Sequence, residues 1–61
     1  MRIEIVYRSG NSTVKLLSDE SVTTISDAIV YAGRYFSDDN NVVFISLEDN
    51  KGNEICTWDR R

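Results

Sequence analysis

Few side chains in this sequence have the types and spacing that chemistry needs. Adjacent carboxylates occur at Asp19-Glu20, Asp38-Asp39 and Glu48-Asp49. Such pairs are the raw material of general acid–base catalysis or of a divalent-cation site. Here every pair lies beside turn-forming residues. The simplest reading is solvated loop charge; the functional alternative is an acidic rim, Asp38, Asp39, Glu48 and Asp49, that docks on a basic partner surface. Asp38-Asp39-Asn40 supplies oxygen ligands but lacks the spacing of a known cation-binding loop. The chain has no histidine, which removes imidazole acid–base chemistry and imidazole metal ligands. A lone cysteine, Cys56, cannot build a thiolate zinc site, and on an apolar strand without an activating partner it reads as a packed thiol. The turn glycines form no phosphate-binding fingerprint. No catalytic residue, metal or cofactor is expected, and the chain is not expected to be an enzyme.

A stronger signal is aromatic, and it depends on the elements that carry it. Val42-Val43-Phe44-Ile45-Ser46-Leu47-Glu48 and Asn53-Glu54-Ile55-Cys56-Thr57-Trp58 flank Asp49-Asn50-Lys51-Gly52. Asp at the first turn position and Gly at the fourth suit a type I turn closed by a glycine bulge. That turn predicts Leu47 opposite Ile55, Ile45 opposite Thr57 and Phe44 opposite Trp58. Val43, Ile45, Leu47, Ile55 and Thr57 then share one face, and Val42, Phe44, Ser46, Cys56 and Trp58 the other. A register one residue different would instead place Cys56 and Trp58 with Ile45 and Val43. The first register follows from the turn chemistry and is the expectation.

The rest of the chain supplies a layer for this hairpin to pack on. Residues 2–8 alternate, with Ile3, Ile5 and Tyr7 on one face and Arg2, Glu4, Val6 and Arg8 on the other, a strand pattern. Ser9-Gly10-Asn11-Ser12 is a hairpin turn. Thr13 to Leu17 reads as the return strand, Val14 and Leu16 on one face, Lys15 and Leu17 on the other. After the polar break Ser18–Ser21, Thr24 is a candidate helix N-cap with Asp27 in the first turn. Ile25, Ala28, Ile29, Ala32, Tyr35 and Phe36 then fall at helical offsets of 0, 3, 4, 7, 10 and 11, one apolar stripe. Gly33 interrupts the helix at a cost of about 1 kcal/mol. Asn40 or Asn41 is the candidate left-handed cap that ends it. Arg60-Arg61 reads as a frayed basic tail.

The order is ββαββ: a single α+β domain over residues 1–61, a four-stranded, mainly antiparallel sheet with one helix on one face. A chain of this length buries about 60% of the surface it exposes when unfolded, so the core is thin. With 10 acidic and 7 basic residues the net charge is −3, the wrong sign for a simple nucleic-acid binder. One cysteine and no apolar run of signal-peptide or membrane-spanning length point to the cytoplasm.

This layout resembles the small β-grasp domains, among them the immunoglobulin-binding domains of bacterial protein G, in which a helix follows an N-terminal hairpin and an aromatic-bearing hairpin closes the chain. The likeness is one of layout, and no binding residue carries over from it. In size, mild acidity and layout the chain is also similar to small phage-encoded proteins that inhibit host enzymes or defence complexes, some anti-CRISPR proteins included. That resemblance implies a small inhibitor or modulator whose partner is another protein, such as a nucleic-acid-handling complex. In the expected register Phe44 and Trp58, with Val42 and Cys56 beside them, make an apolar patch on the open sheet face, as protein contacts do. In the other register Trp58 is core under the helix. A homodimer pairing sheet faces or edges and a single-strand nucleic-acid binder stacking bases on the aromatics are the alternatives, the latter disfavoured by charge.

Overall fold

The computed structural model describes the whole chain, Met1–Arg61. Its elements are β1 (Arg2–Tyr7), β2 (Ser12–Leu16), a 3-10 turn (Leu17–Glu20), α1 (Ile25–Asp38), β3 (Val42–Glu48) and β4 (Glu54–Asp59). The four strands form one sheet in the order β2-β1-β3-β4. Every neighbouring pair is antiparallel, so the expected mainly antiparallel sheet is wholly so; the likeness to the β-grasp domains stops at the order of elements, because β1 pairs here with β3 and β4 is an edge strand. α1 lies on one face, chiefly over β3.

Both hairpins close with the same device. Gly10 (φ 94°) and Gly52 (φ 85°) adopt the left-handed conformation that a glycine bulge after a type I turn requires. Gly10 N–H donates to the Tyr7 carbonyl at 2.9 Å and Gly52 N–H to the Asp49 carbonyl at 3.2 Å. The turn predicted for Asp49–Gly52 is therefore present, and Glu48 does lie opposite Glu54. One pair further on the ladder departs from expectation. Ile55 is looped out as a bulge, so Leu47 faces Cys56, Ile45 faces Trp58 and Phe44 faces Asp59. The expected pairs Leu47–Ile55, Ile45–Thr57 and Phe44–Trp58 are corrected by this one-residue slip, which turns Trp58 to the helix face and leaves Thr57 exposed.

A second bulge does the same on β3. Val6 faces Phe44 but Tyr7 faces Val42, with Val43 looped out between. Val42, expected on the open face, is fully buried in the core under α1. Both bulges have one physical cause. Val42 and Ile45, like Ile55 and Trp58, are three residues apart, and a strict two-residue period would send one of each pair to the open face. Burying a large apolar side chain gains about 1.5–3 kcal/mol, more than the roughly 0.5–1.5 kcal/mol net of one ladder hydrogen bond. The bulge that brings Val42 and Ile45 together into the core is therefore favoured, and the one on β4 brings Ile55 and Trp58 against its margin.

The core consists of Ile3, Ile5, Leu17, Ala28, Ala32, Val42, Ile45 and Leu47, all fully buried, with Tyr7, Tyr35, Phe36, Ile55 and Trp58 packed at its margins. α1 begins as its sequence predicts: Thr24 Oγ1 accepts the Asp27 amide at 3.1 Å. It ends differently. Neither Asn40 nor Asn41 is left-handed. Asp39 is extended, its carbonyl accepts the Val42 amide at 3.1 Å, and its carboxylate accepts the Asn41 amide at 2.9 Å. The Arg60 guanidinium donates to the Phe36 carbonyl, which places a cation where the helix dipole favours one. Arg60 also stacks 3.9 Å from the Phe36 ring centroid, and its amide donates to the Val43 carbonyl at 2.9 Å. Arg60 is thus a helix clamp rather than part of a frayed tail, and Arg61 lies on the other face of the sheet over the Phe44 ring.

Candidate functional site

The structure disperses the residues that sequence reasoning grouped. Phe44 is on the open sheet face, where the Arg61 guanidinium covers it at 4.4 Å from the ring centroid. Arg61 is held there by Asp59 at 3.2 Å, and that contact lowers the Asp59 pKa and raises that of Arg61. Trp58 is on the opposite face, its Nε1 over Gly33. Val42 is core. The aromatic patch expected from Phe44, Trp58 and Val42 does not form, and two aromatics on opposite faces make no shared stacking platform.

The acidic rim is largely spent on local structure. Glu48 Oε1 accepts from Arg2 Nε at 2.8 Å across the β1–β3 ladder. Asp49 Oδ1 accepts the Lys51 amide at 2.8 Å and the Asn53 amide at 2.9 Å. These bonds, that of Asn53 first, hold its pKa below the usual carboxylate value. Asp39 makes the turn after α1, and only Asp38 of the four is exposed with no bond of its own to another side chain or backbone group. No three acidic or cysteine side chains converge as metal ligands. On the other flank of α1, Tyr7 and Tyr35 share a hydroxyl hydrogen bond of 3.2 Å, which raises the Tyr7 pKa, and Lys15 Nζ sits 5.7 Å from the Tyr35 ring centroid.

This chain matches no protein-family model, no curated protein and no solved structure.

Large apolar side chains are exposed on β2, along one flank of α1 and, singly, at Val30 on the side of α1 away from the sheet. On β2, Val14 and Leu16 are 52% and 53% exposed on the open face. On α1, Ile25 and Ile29 are 54% and 40% exposed, although the helical stripe predicted both as core. The reason is that Ala28 and Ala32, the smallest residues of the stripe, sit at the point of closest approach to the sheet and are fully buried. Ile25, Ile29, Gly33 and Phe36 consequently run along the flank of α1 that looks toward β4, where Gly33 meets Trp58 and Phe36 meets Arg60. At the N-terminal end of that flank a hollow of about 530 Å³ opens between the start of α1, the segment leading into it and the β3–β4 turn, its apolar lining made by Met1, Val22, Ile25 and Ile55 and its polar rim by Ser18, Thr23, Asp49 and Asn50.

Sequence reasoning missed this groove. The available signal was the pair of alanines: small residues at positions 28 and 32 mark the middle of the buried stripe and push the isoleucines to its edge.

Proposed function

We propose that this chain is a non-enzymatic protein-binding module, a small inhibitor or modulator of a larger protein in the cytoplasm, and that the α1–β4 groove is its contact surface. One observation carries the reading: Ile25 and Ile29 stay about half exposed beside the Ile55-lined hollow, in a chain so short that every large aliphatic side chain left out of the core is a sizeable loss. Contact anchors have this form, an apolar cluster at a concave spot with a polar rim. The groove fits an apolar anchor side chain of the partner. The net charge of −3 favours a partner that carries this anchor on a basic surface, as nucleic-acid-handling proteins do. No helix is long and apolar enough to cross a membrane.

The test is affinity capture from the source cell, followed by binding measurements with the purified partner. Ile29→Lys is expected to weaken binding at least tenfold, with the unfolding transition intact because the side chain is already exposed. Arg34→Ala, on the far side of α1, is expected to leave affinity unchanged. Equal affinity of the wild type and Ile29→Lys would remove the groove from the interface.

A further inference from the structure

One edge of the sheet is both apolar and unpaired. β2 lies at the end of the strand order. Tyr7 N–H donates to the Asn11 carbonyl at 2.8 Å and Leu17 N–H to the Met1 carbonyl at 3.0 Å. In an antiparallel ladder, bonding toward one neighbour alternates along the strand, so Thr13 and Lys15 also bond toward β1. The backbone N–H and C=O groups of Ser12, Val14 and Leu16 then point away from the sheet. Val14 and Leu16 carry the exposed apolar side chains of the open face, so one strand offers free ladder groups and apolar surface together, the combination that recruits a further strand.

The usual guard of an edge is a lysine, and β2 has one. Lys15, however, turns to the helix face, near the Tyr35 ring and 3.9 Å from Glu20, and does not cover the edge. The opposite edge, β4, is different: Glu54, Thr57 and Asp59 are its exposed residues, so its surface is polar and acidic.

We propose that two copies of this chain pair antiparallel through their β2 edges, about a two-fold axis at Val14, joining the two four-stranded sheets into one. The sequence Ser12-Thr13-Val14-Lys15-Leu16 selects this register. With Val14 opposite Val14 of the second copy, Ser12 faces Leu16 and Thr13 faces Lys15, so no like charges meet and the outward backbone groups match. A shift that sets Val14 opposite Leu16 puts Lys15 directly against Lys15, which is unfavourable. The opposite shift sets Thr13 against Thr13 and removes Leu16 from the pairing. The aliphatic side chains of the two copies then form one strip on the open face. Strands of five residues bury less than the ~1,200 Å² typical of stable interfaces, so the pairing is weak and concentration-dependent. It is independent of the α1–β4 groove, which lies on the other face.

Sedimentation equilibrium from micromolar to millimolar chain tests this. The wild type is expected to move from monomer to dimer across that range. Val14→Lys, which sets two ammonium groups across the axis, is expected to stay monomeric with an unchanged unfolding transition. A strictly monomeric wild type, or a dimer that survives Val14→Lys, overturns the proposal. Oxidative cross-linking reads the register. Residues opposite each other in a bonded pair have Cα atoms about 5.5 Å apart, within disulfide range. In a Cys56→Ser background, Val14→Cys is expected to form a disulfide dimer, whereas Thr57→Cys on the β4 edge is not. Equal cross-linking at the two edges also overturns it.

Discussion

The Trp58 indole lies over Gly33, and a Cβ added at Gly33 would stand 3.6 Å from Nε1. That is ordinary van der Waals contact, and Gly33 has a helical φ. The glycine is therefore not needed for the close approach. Gly33→Ala is expected to stabilise the fold by about 1 kcal/mol, the helix-propensity difference, read as a higher denaturant midpoint with unchanged slope and an unshifted Trp58 emission maximum. A loss of stability would mean that Trp58 packs closer to α1 than described.

Arg60 closes the far end of the same helix. It bonds to the Phe36 carbonyl and to Asn40 Oδ1 and stacks on Phe36, but its Nε is buried without a partner, which offsets part of the gain. Arg60→Ala is expected to cost about 1–2 kcal/mol. Arg60→Lys should recover less than half of this, because an ammonium cannot make the forked contact. Arg61→Ala, whose partner Asp59 is exposed, should leave stability nearly unchanged, because an exposed ion pair in water contributes little. Chemical unfolding of the three variants gives the ranking, and equal effects at both arginines would contradict the clamp.

Ser21 is the one non-glycine residue in the left-handed region, φ 59°. It sits there because its amide caps the 3-10 turn at the Ser18 carbonyl, 3.2 Å away, while the Val22 amide reaches Leu17 O at 2.9 Å. A non-glycine residue in this conformation costs about 1 kcal/mol or more. Ser21→Gly is expected to raise the thermal midpoint. Ser21→Val is expected to lower it.

Asp49 sets a pH dependence. Its pKa in the fold lies below the ordinary 3.8. The carboxylate bonds therefore contribute stability that is complete above the ordinary value and is lost as pH falls through the lower folded one. Asp49→Asn keeps one acceptor and removes the titration, so its stability should fall less steeply in acid than that of the wild type. Parallel acid limbs would show that the turn bonds do not depend on charge.

Most of the fold was legible because local signals agreed with one another: alternation in β1, the Thr24 cap, and the Asp49–Gly52 turn all appear as their residues predict. The contact surface was not legible. Turn chemistry fixes register only until the first bulge, and the bulges at Val43 and Ile55 arise from burial of Val42 and Trp58 against residues distant in sequence. The same holds for Arg60, whose acceptor on Phe36 lies on another element, and for Ile25 and Ile29, whose exposure follows from where two alanines meet the sheet. Phe44 lies on the open face as the alternation around Ile45 predicts, but nothing local announces the Arg61 side chain that covers it.

Photo-crosslinking to the purified partner from position 29 and, separately, from position 44 compares the two candidate surfaces most directly. A photoreactive residue replacing Ile29, on the α1 flank beside the hollow, is expected to give a discrete adduct with the partner, and one replacing Phe44 on the open face is expected to give none. Adducts from position 44 with none from position 29 would contradict the assignment of the groove and return the contact to the open sheet face.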